Sequence, residues 1–135
     1  MQEFSDKVYS RMFLISAIWN LYFSITALLL PKLNLTLCYG EEVASGILNN
    51  FYSYMLYNFQ GAAILVFGIG YYIVSRDVSK NHGIVVIGII GKLFFFVYYT
   101  YMYFITRATI VPFLAVIGDF IFSILFAYFL VQKRK

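Results

Sequence analysis

Four long apolar segments constrain this chain more than any other feature of its sequence. They run from about 12 to 30, 54 to 74, 83 to 105 and 110 to 131. Each has the roughly 20 residues that an α-helix needs to cross a membrane, and none alternates as a transmembrane β-strand does. The sequence therefore predicts an all-α integral membrane protein, with residues 1–135 forming one domain and the four helices forming an antiparallel bundle.

The composition agrees with lipid as the solvent for most of the chain. Hydrophobic residues make up 62% of the 135 residues and charged residues 12%, whereas a soluble domain is nearer half apolar and a quarter charged. A chain of this length cannot bury so much apolar surface in one water-soluble core. The basic residues lie near the segment ends, which indicates membrane topology and argues against nucleic-acid binding.

Lysine and arginine residues are unevenly divided between the two sides of the predicted membrane. Seven lie on the side of both termini and the second connection, and two on the other side. The positive-inside rule therefore predicts that both termini are cytoplasmic. The two groups are Lys7, Arg11, Arg76, Lys80, Lys133, Arg134 and Lys135, against Lys32 and Arg107.

The first connection, residues 31–53, is much longer than the other two and mixes apolar with polar residues. We expect it to be a long exterior loop that covers the mouth of the bundle, as an interfacial cap or a short amphipathic helix. Its apolar residues need a place to pack, either at the membrane interface or on the bundle itself. These residues are Leu33, Leu35, Leu37, Ile47 and Leu48.

A lysine and an aspartate lie inside the predicted spans. Lys92 is about nine residues into the third span and Asp119 about nine residues into the fourth, so each lies ~13 Å deep at 1.5 Å per residue. The two spans start on opposite sides of a core ~30 Å thick, and the two depths therefore nearly coincide. Because an unpaired charge at a helix centre costs about 2.5–3.5 kcal/mol, we predict that Lys92 pairs with Asp119.

Uncharged polar residues fall at a similar level on three of the spans. Asn20 lies on the first, Asn58 and Gln60 on the second, and Tyr99 shares a helix face with the lysine on the third. Such groups either join helices by hydrogen bonds or mark a ligand or proton pathway. We favour the first role for the amides, while the ion pair is either a structural staple or a working site. The candidate site comprises Lys92, Asp119, Asn20, Gln60, Asn58 and Tyr99.

The sequence shows no catalytic or metal-binding motif. One histidine, one cysteine and scattered carboxylates do not form a transition-metal site, and a single cysteine excludes an intramolecular disulfide. No nucleophile–base pair is evident. We therefore expect no cofactor, and we favour a protein that is not an enzyme.

Three stretches carry a resemblance to a known group of proteins. They are NFQGAAILVFGIGYYIV in the second span, GKLFFF in the third and GDFIFSILFAYFL in the fourth. Together with the four-span plan, they resemble small bacterial four-helix membrane proteins of the DoxX-like type. The resemblance implies a bacterial inner membrane and a small subunit of a quinone-linked redox complex, but no catalytic motif of that group transfers to a position here.

Three classes of function remain open. The first is a non-enzymatic membrane protein that binds a lipophile such as a quinone, a sterol or a lipid, or that joins a membrane-protein partner or a second copy of itself. The second is a small carrier or channel for ions or protons, which uses Lys92 and Asp119. The third and least favoured is a membrane enzyme that acts on a lipid-soluble substrate, with the same two residues as acid and base.

Overall fold

The computed structural model describes residues 2–133, with side-chain environments from residue 5 onward. Arg134 and Lys135, which contribute to the predicted charge bias, lie outside the described residues together with Met1. The described chain contains helices and no strand. The helices are α1 (Gln2–Leu29), α2 (Pro31–Tyr39), α3 (Glu41–Asn49), α4 (Phe51–Arg76), α5 (His82–Phe104) and α6 (Ile110–Lys133).

Four of the described helices, α1, α4, α5 and α6, are long and apolar enough to cross a membrane. The prediction of an all-helical chain with four candidate spans is therefore confirmed. The helix α1 begins about ten residues before the predicted span, and α4 begins three residues early. Hydropathy marks the apolar part of a helix, whereas the helix itself continues through polar residues until the backbone hydrogen bonds are interrupted.

The first connection consists of two short helices, where the sequence predicted a long loop forming an interfacial cap or one short amphipathic helix. Pro31 lies in the first turn of α2, where its missing N–H leaves no intrahelical bond unmade, and Gly40 separates α2 from α3 with a φ of 85°. Leu35 on α2 is fully buried, as its apolar character predicts, and it packs with Ala44 on α3. The other two leucines of α2, at positions 33 and 37, remain exposed.

The helix α1 packs mainly along α4, and α5 packs mainly along α6. Near the start of α1, the Ser10 hydroxyl donates to the carbonyl of Ser75, close to the end of α4, over 2.6 Å. Near the end of α1, the carbonyl of Ala27 accepts from the hydroxyl of Tyr57, close to the start of α4, over 3.1 Å. Each of these contacts joins one end of α1 to the opposite end of α4.

Two clusters of buried residues lie at opposite ends of the long helices. At the start of α1, the ring of Phe13 is 4.6 Å from that of Phe126 and 5.0 Å from that of Phe129, centroid to centroid. We call this group the aromatic plug; it consists of Phe13, Ala17, Tyr71, Val74, Val78, Val85, Phe126 and Phe129. The second group, at the α2 end, consists of Ala27, Leu35, Ala44 and Tyr57.

Candidate functional site

Lys92 and Asp119 form an ion pair between α5 and α6. The Nζ of Lys92 is 2.5 Å from Oδ1 of Asp119 and 3.0 Å from Oδ1 of Asn20 on α1. The lysine is 3% exposed, whereas the side chain of Asp119 is 19% exposed. The structure thus brings the predicted partners together and adds Asn20 as a second acceptor for the ammonium group.

Two aromatic rings also lie near the ammonium group. Nζ of Lys92 lies 5.1 Å from the ring centroid of Tyr71 and 5.3 Å from that of Phe122, within the range of cation–π attraction. The ring of Tyr71 reaches this position because Gly88 has no side chain: a Cβ there would lie 2.6 Å from a carbon of the ring. Glycine on α5 therefore permits the close approach that places the tyrosine beside the lysine.

A second polar cluster lies on the α2 side of the ion pair. Gln60 on α4 donates a hydrogen bond from Nε2 to the hydroxyl of Tyr99 on α5. That hydroxyl is also 2.9 Å from the hydroxyl of Tyr39 on α2. Tyr99 follows Lys92 by seven residues on one helix, so the two polar clusters are ~10 Å apart along the helix axis. Two of the predicted residues, Gln60 and Tyr99, are therefore hydrogen-bonded to each other and lie apart from the ion pair.

A cavity of about 220 Å³ connects the two polar clusters. Lys92, Asp119 and Asn20 line it at one level, and Tyr39, Gln60 and Tyr99 line it at the other. Apolar and aromatic side chains make up most of the remaining wall. Among them are Trp19, Phe23, Ala27, Ile64, Phe95 and Val116.

Asn58 lies apart from the other candidate residues. It lines a separate, more open pocket with Leu28, Phe51 and Phe59 among its neighbours. Asn58 and Gln60 are two residues apart on α4, which turns their side chains by about 200° around the helix axis. Counting residues along the span predicted that both side chains lie at one level. They point to different sides of α4, and of the two only Gln60 lines the cavity.

Among the cavity residues that the sequence did not indicate are Tyr39, Tyr57 and Trp19. Tyr39 and Tyr57 belong to a chain rich in tyrosine, and nothing in their local pattern separates them from tyrosines at a membrane interface. The position of Tyr39 four residues after buried Leu35 is a usable signal, because residues at that spacing share a helix face. Trp19 precedes Asn20, and its place in the wall depends on Gly118 of α6, where a Cβ would lie 2.8 Å from the indole ring.

The environment of Cys38 is relevant to labelling experiments. Cys38 lies in α2, outside the four candidate spans, and lines the cavity. Burial raises the pKa of its thiol to about 11, because an apolar environment disfavours the thiolate. Within residues 5–133, no three His, Cys, Asp or Glu side chains are grouped closely enough to hold a metal ion.

A scan against protein-family models, a search of curated proteins and a search of solved structures each found no match to this chain. The resemblance to DoxX-like proteins therefore stays an expectation from the sequence. Function has to be argued from the geometry of the cavity.

Proposed function

We propose that this chain is a non-enzymatic multi-pass membrane protein that binds a lipophilic small molecule between its long helices. The observation that carries the proposal is the cavity of about 220 Å³ with apolar walls and an ion pair at one level. Ligand sites in proteins commonly combine a mostly apolar lining with a few polar groups that fix the orientation of the ligand.

The ion pair defines the chemistry of a suitable ligand. Because Lys92 and Asp119 neutralise each other, the cavity favours a neutral polar group over an ion. An ammonium group has three N–H donors, and the described contacts with Asn20 and Asp119 use two of them. The third can donate to a carbonyl or hydroxyl, and the carboxylate can accept from a hydroxyl. A quinone, a sterol and a neutral lipid each provide such a group.

The aromatic plug supports binding over conduction. Phe13, Phe126 and Phe129 have no exposed surface, and they fill the bundle on one side of the ion pair. A molecule that reaches Lys92 from the α2 side therefore meets closely packed rings beyond it. This arrangement is typical of a blind pocket, in which a ligand enters and leaves by the same route.

A proton carrier is the second candidate, and the two ionisable groups on the cavity wall favour it. Its test is proton uptake by liposomes that contain the protein and a trapped pH indicator. A carrier gives an uptake that disappears in the double variant Lys92→Met with Asp119→Leu. The blind pocket predicts no uptake above that of protein-free liposomes.

The arrangement of the long helices is part of the proposal. We infer an antiparallel bundle of four transmembrane helices, with both termini in the cytoplasm of a bacterial cell and α2 and α3 at the exterior surface. The contacts between opposite ends of α1 and α4 support the antiparallel order. The excess of basic residues at the termini and in the second connection supports the orientation.

A role as a small subunit of a larger membrane complex is compatible with ligand binding. The resemblance to DoxX-like proteins suggests a quinone-linked redox complex, and it makes a quinone one candidate ligand. Copurification with a membrane oxidoreductase after mild solubilisation is the outcome that supports this role.

Ligand binding can be tested by identifying the lipophiles that copurify with the protein. Val116→Phe places a larger side chain in the cavity wall, whereas Leu114→Phe makes the same kind of change on the exposed face of α6. We expect mass spectrometry to find a lipophile bound to the wild type and to Leu114→Phe, and to find it depleted from Val116→Phe. Equal retention by all three proteins contradicts the proposal.

A further inference from the structure

The seam is the line along which α1 and α6 face each other beside the cavity. It is closed along one part of its length and open along another. On the side of the aromatic plug, Phe13 closes the seam against Phe126. Next along α1, Trp19 lies against the backbone of Gly118, where a Cβ would come within 2.8 Å of the indole ring. Trp19 therefore closes the seam at the level of Gly118.

Beyond Trp19, residues of the cavity wall are also exposed on the outside of the protein. Tyr22 on α1 is 64% exposed and Val111 on α6 is 38% exposed, although both line the cavity. Leu33 and Leu37 on α2 also line the cavity, and they are 55% and 50% exposed. A residue that faces both the cavity and the exterior marks an opening, and these four lie around one seam.

Hydrogen bonds fix the edge of the opening that α2 forms. The hydroxyl of Thr109, just before α6, donates to the carbonyl of Leu37 over 2.5 Å. The backbone N–H of Thr109 donates to the carbonyl of Cys38 over 2.8 Å. These two bonds hold the end of α2 against the start of α6, so that α2 spans the seam above the opening.

The size of the cavity limits what it can enclose. Pockets that bury a whole drug-sized ligand usually measure about 300–1,000 Å³, and this cavity measures about 220 Å³. A larger lipophile therefore has to leave part of its structure outside. The seam between α1 and α6 is bordered by apolar side chains, and both helices are long and apolar enough to span a membrane, so that part can lie in lipid.

We propose that the gap framed by Trp19, Tyr22, Leu33, Leu37 and Val111 is a lateral portal for a neutral amphiphile with a single long chain. This inference rests on the proposed function and specifies its ligand. The polar head binds at Lys92 and Asp119, and the chain passes between α1 and α6, beneath α2, into the bilayer. The ligand reaches its site from the membrane and never crosses the aromatic plug.

Trp19 is the single tryptophan of the chain, which makes its fluorescence a reporter of the portal. The probes are a long-chain alcohol brominated at mid-chain and a short brominated alcohol with the same head, because bromine quenches tryptophan on contact. The portal variant carries Thr26→Phe and Val111→Phe, both in the cavity wall. The matched control carries Ile25→Phe and Ile110→Phe, their neighbours on the exposed surface.

We expect saturable quenching of the wild type in liposomes by both probes. The portal variant should bind the long probe about tenfold more weakly, because a chain forced past the filled seam meets an overpacking cost of about 1–3 kcal/mol. It should bind the short probe as the wild type does, and the control should match the wild type with both. Melting temperatures of the three proteins establish that each is folded.

Two outcomes overturn the portal while leaving ligand binding intact. One is wild-type affinity of the portal variant for the long probe. The other is an equal loss of both probes by a folded portal variant, which shows that positions 26 and 111 affect binding of the polar head and not passage of the chain. Absence of saturable quenching of the wild type by either probe is different, because it contradicts the proposed function itself.

Discussion

Lys92 carries a charge in the middle of a helix that is otherwise apolar, and several neighbouring side chains interact with its ammonium group. Asp119 supplies a carboxylate, Asn20 supplies an amide oxygen, and two aromatic rings face the ammonium group. Ion pairs of this kind are costly to break, because either partner alone is a buried charge without compensation. Replacing both partners by apolar residues leaves no buried charge without a partner.

Variants of the ion pair should therefore show strong coupling. We expect Lys92→Met or Asp119→Asn alone to lower the free energy of unfolding by about 3–5 kcal/mol, and Lys92→Met with Asp119→Leu to lower it much less. Thermal denaturation in detergent measures the effect. Lys80→Met, which breaks the exposed pair with Asp77, serves as the control and should leave stability unchanged. Additive losses in the double variant show that the two residues are not energetic partners.

The same variants separate a structural staple from a working site. A double variant that is both stable and able to bind the lipophile indicates a staple. A double variant that is stable but has lost binding indicates that the ion pair holds the ligand.

Gly88 and Gly83 provide a matched pair of substitutions within α5. A Cβ at Gly88 would lie 2.6 Å from the ring of Tyr71, whereas a Cβ at Gly83 meets no atom within 4 Å. We expect Gly88→Ala to cost about 1–3 kcal/mol, because the ring has to move away from the lysine. Gly83→Ala should be neutral or slightly stabilising. Similar melting temperatures for the two variants would show that Tyr71 does not pack against Gly88.

The thiol of Cys38 should react slowly at neutral pH. With a pKa of about 11, its thiolate fraction at pH 8 is about 100-fold below that of a thiol with a pKa near 9, and the thiolate is the nucleophile. Alkylation by iodoacetamide should accelerate about tenfold for each unit of pH until the pH approaches 11. The control is Glu42→Cys with Cys38→Ser, which places a thiol on the exposed side of α3. Equal rates at pH 8 would contradict burial of Cys38.

At the scale of elements, α2 and α3 form a folded cap and not a tether. The side chain of Leu35 anchors α2 in the second buried cluster, and Tyr39 at its end contacts the hydroxyl of Tyr99 on α5. These contacts tie one face of α2 to the long helices. The cap therefore contributes to stability as well as to the wall of the cavity.

The cap can be tested with two leucines of one helix. Leu35→Ala removes a fully buried side chain and should cost about 2–5 kcal/mol, while Leu33→Ala changes an exposed position and should cost much less. Thermal denaturation compares the two variants. Hydrogen exchange adds an independent measurement: amides of α2 and α3 should exchange more slowly than those of a free peptide. Exchange at the free-peptide rate would contradict a packed cap.

At the scale of the whole molecule, the long helices are closed at one end and open along one side. The aromatic plug fills the space between α1, α4 and α6 beyond the ion pair. Toward α2, the wall opens along the seam between α1 and α6. This asymmetry favours exchange of a ligand with the bilayer over passage of a solute from one side of the membrane to the other.

The proposed orientation predicts the labelling of two exposed positions. In a Cys38→Ser background, Glu42→Cys should react with an impermeant maleimide in intact cells, because α3 is assigned to the exterior. Lys80→Cys, in the connection between α4 and α5, should react only after the membrane is permeabilised. The opposite pattern would mean that the chain is inverted, with both termini outside.

Several properties of this protein follow from the sequence by itself. The four helices that are long and apolar enough to span a membrane were predictable, because the need to match a hydrocarbon core acts on long runs of residues and does not depend on their partners. The approach of Lys92 to Asp119 was predictable for a related reason. Depth along a span follows from residue count, and the cost of an unpaired charge in lipid selects the partner at equal depth.

Other properties were decided only by the tertiary structure. Asn58 faces away from the cavity, while Gln60 joins Tyr99 and Tyr39 in a polar cluster that the sequence did not indicate as a unit. The division of the cap into two helices, the cavity and the opening beyond Trp19 belong to this group as well. Each depends on the rotation of one helix about its axis and on the side chains that a neighbouring helix presents at the same height. Residue count and hydropathy set depth, but shape complementarity between helices sets rotation.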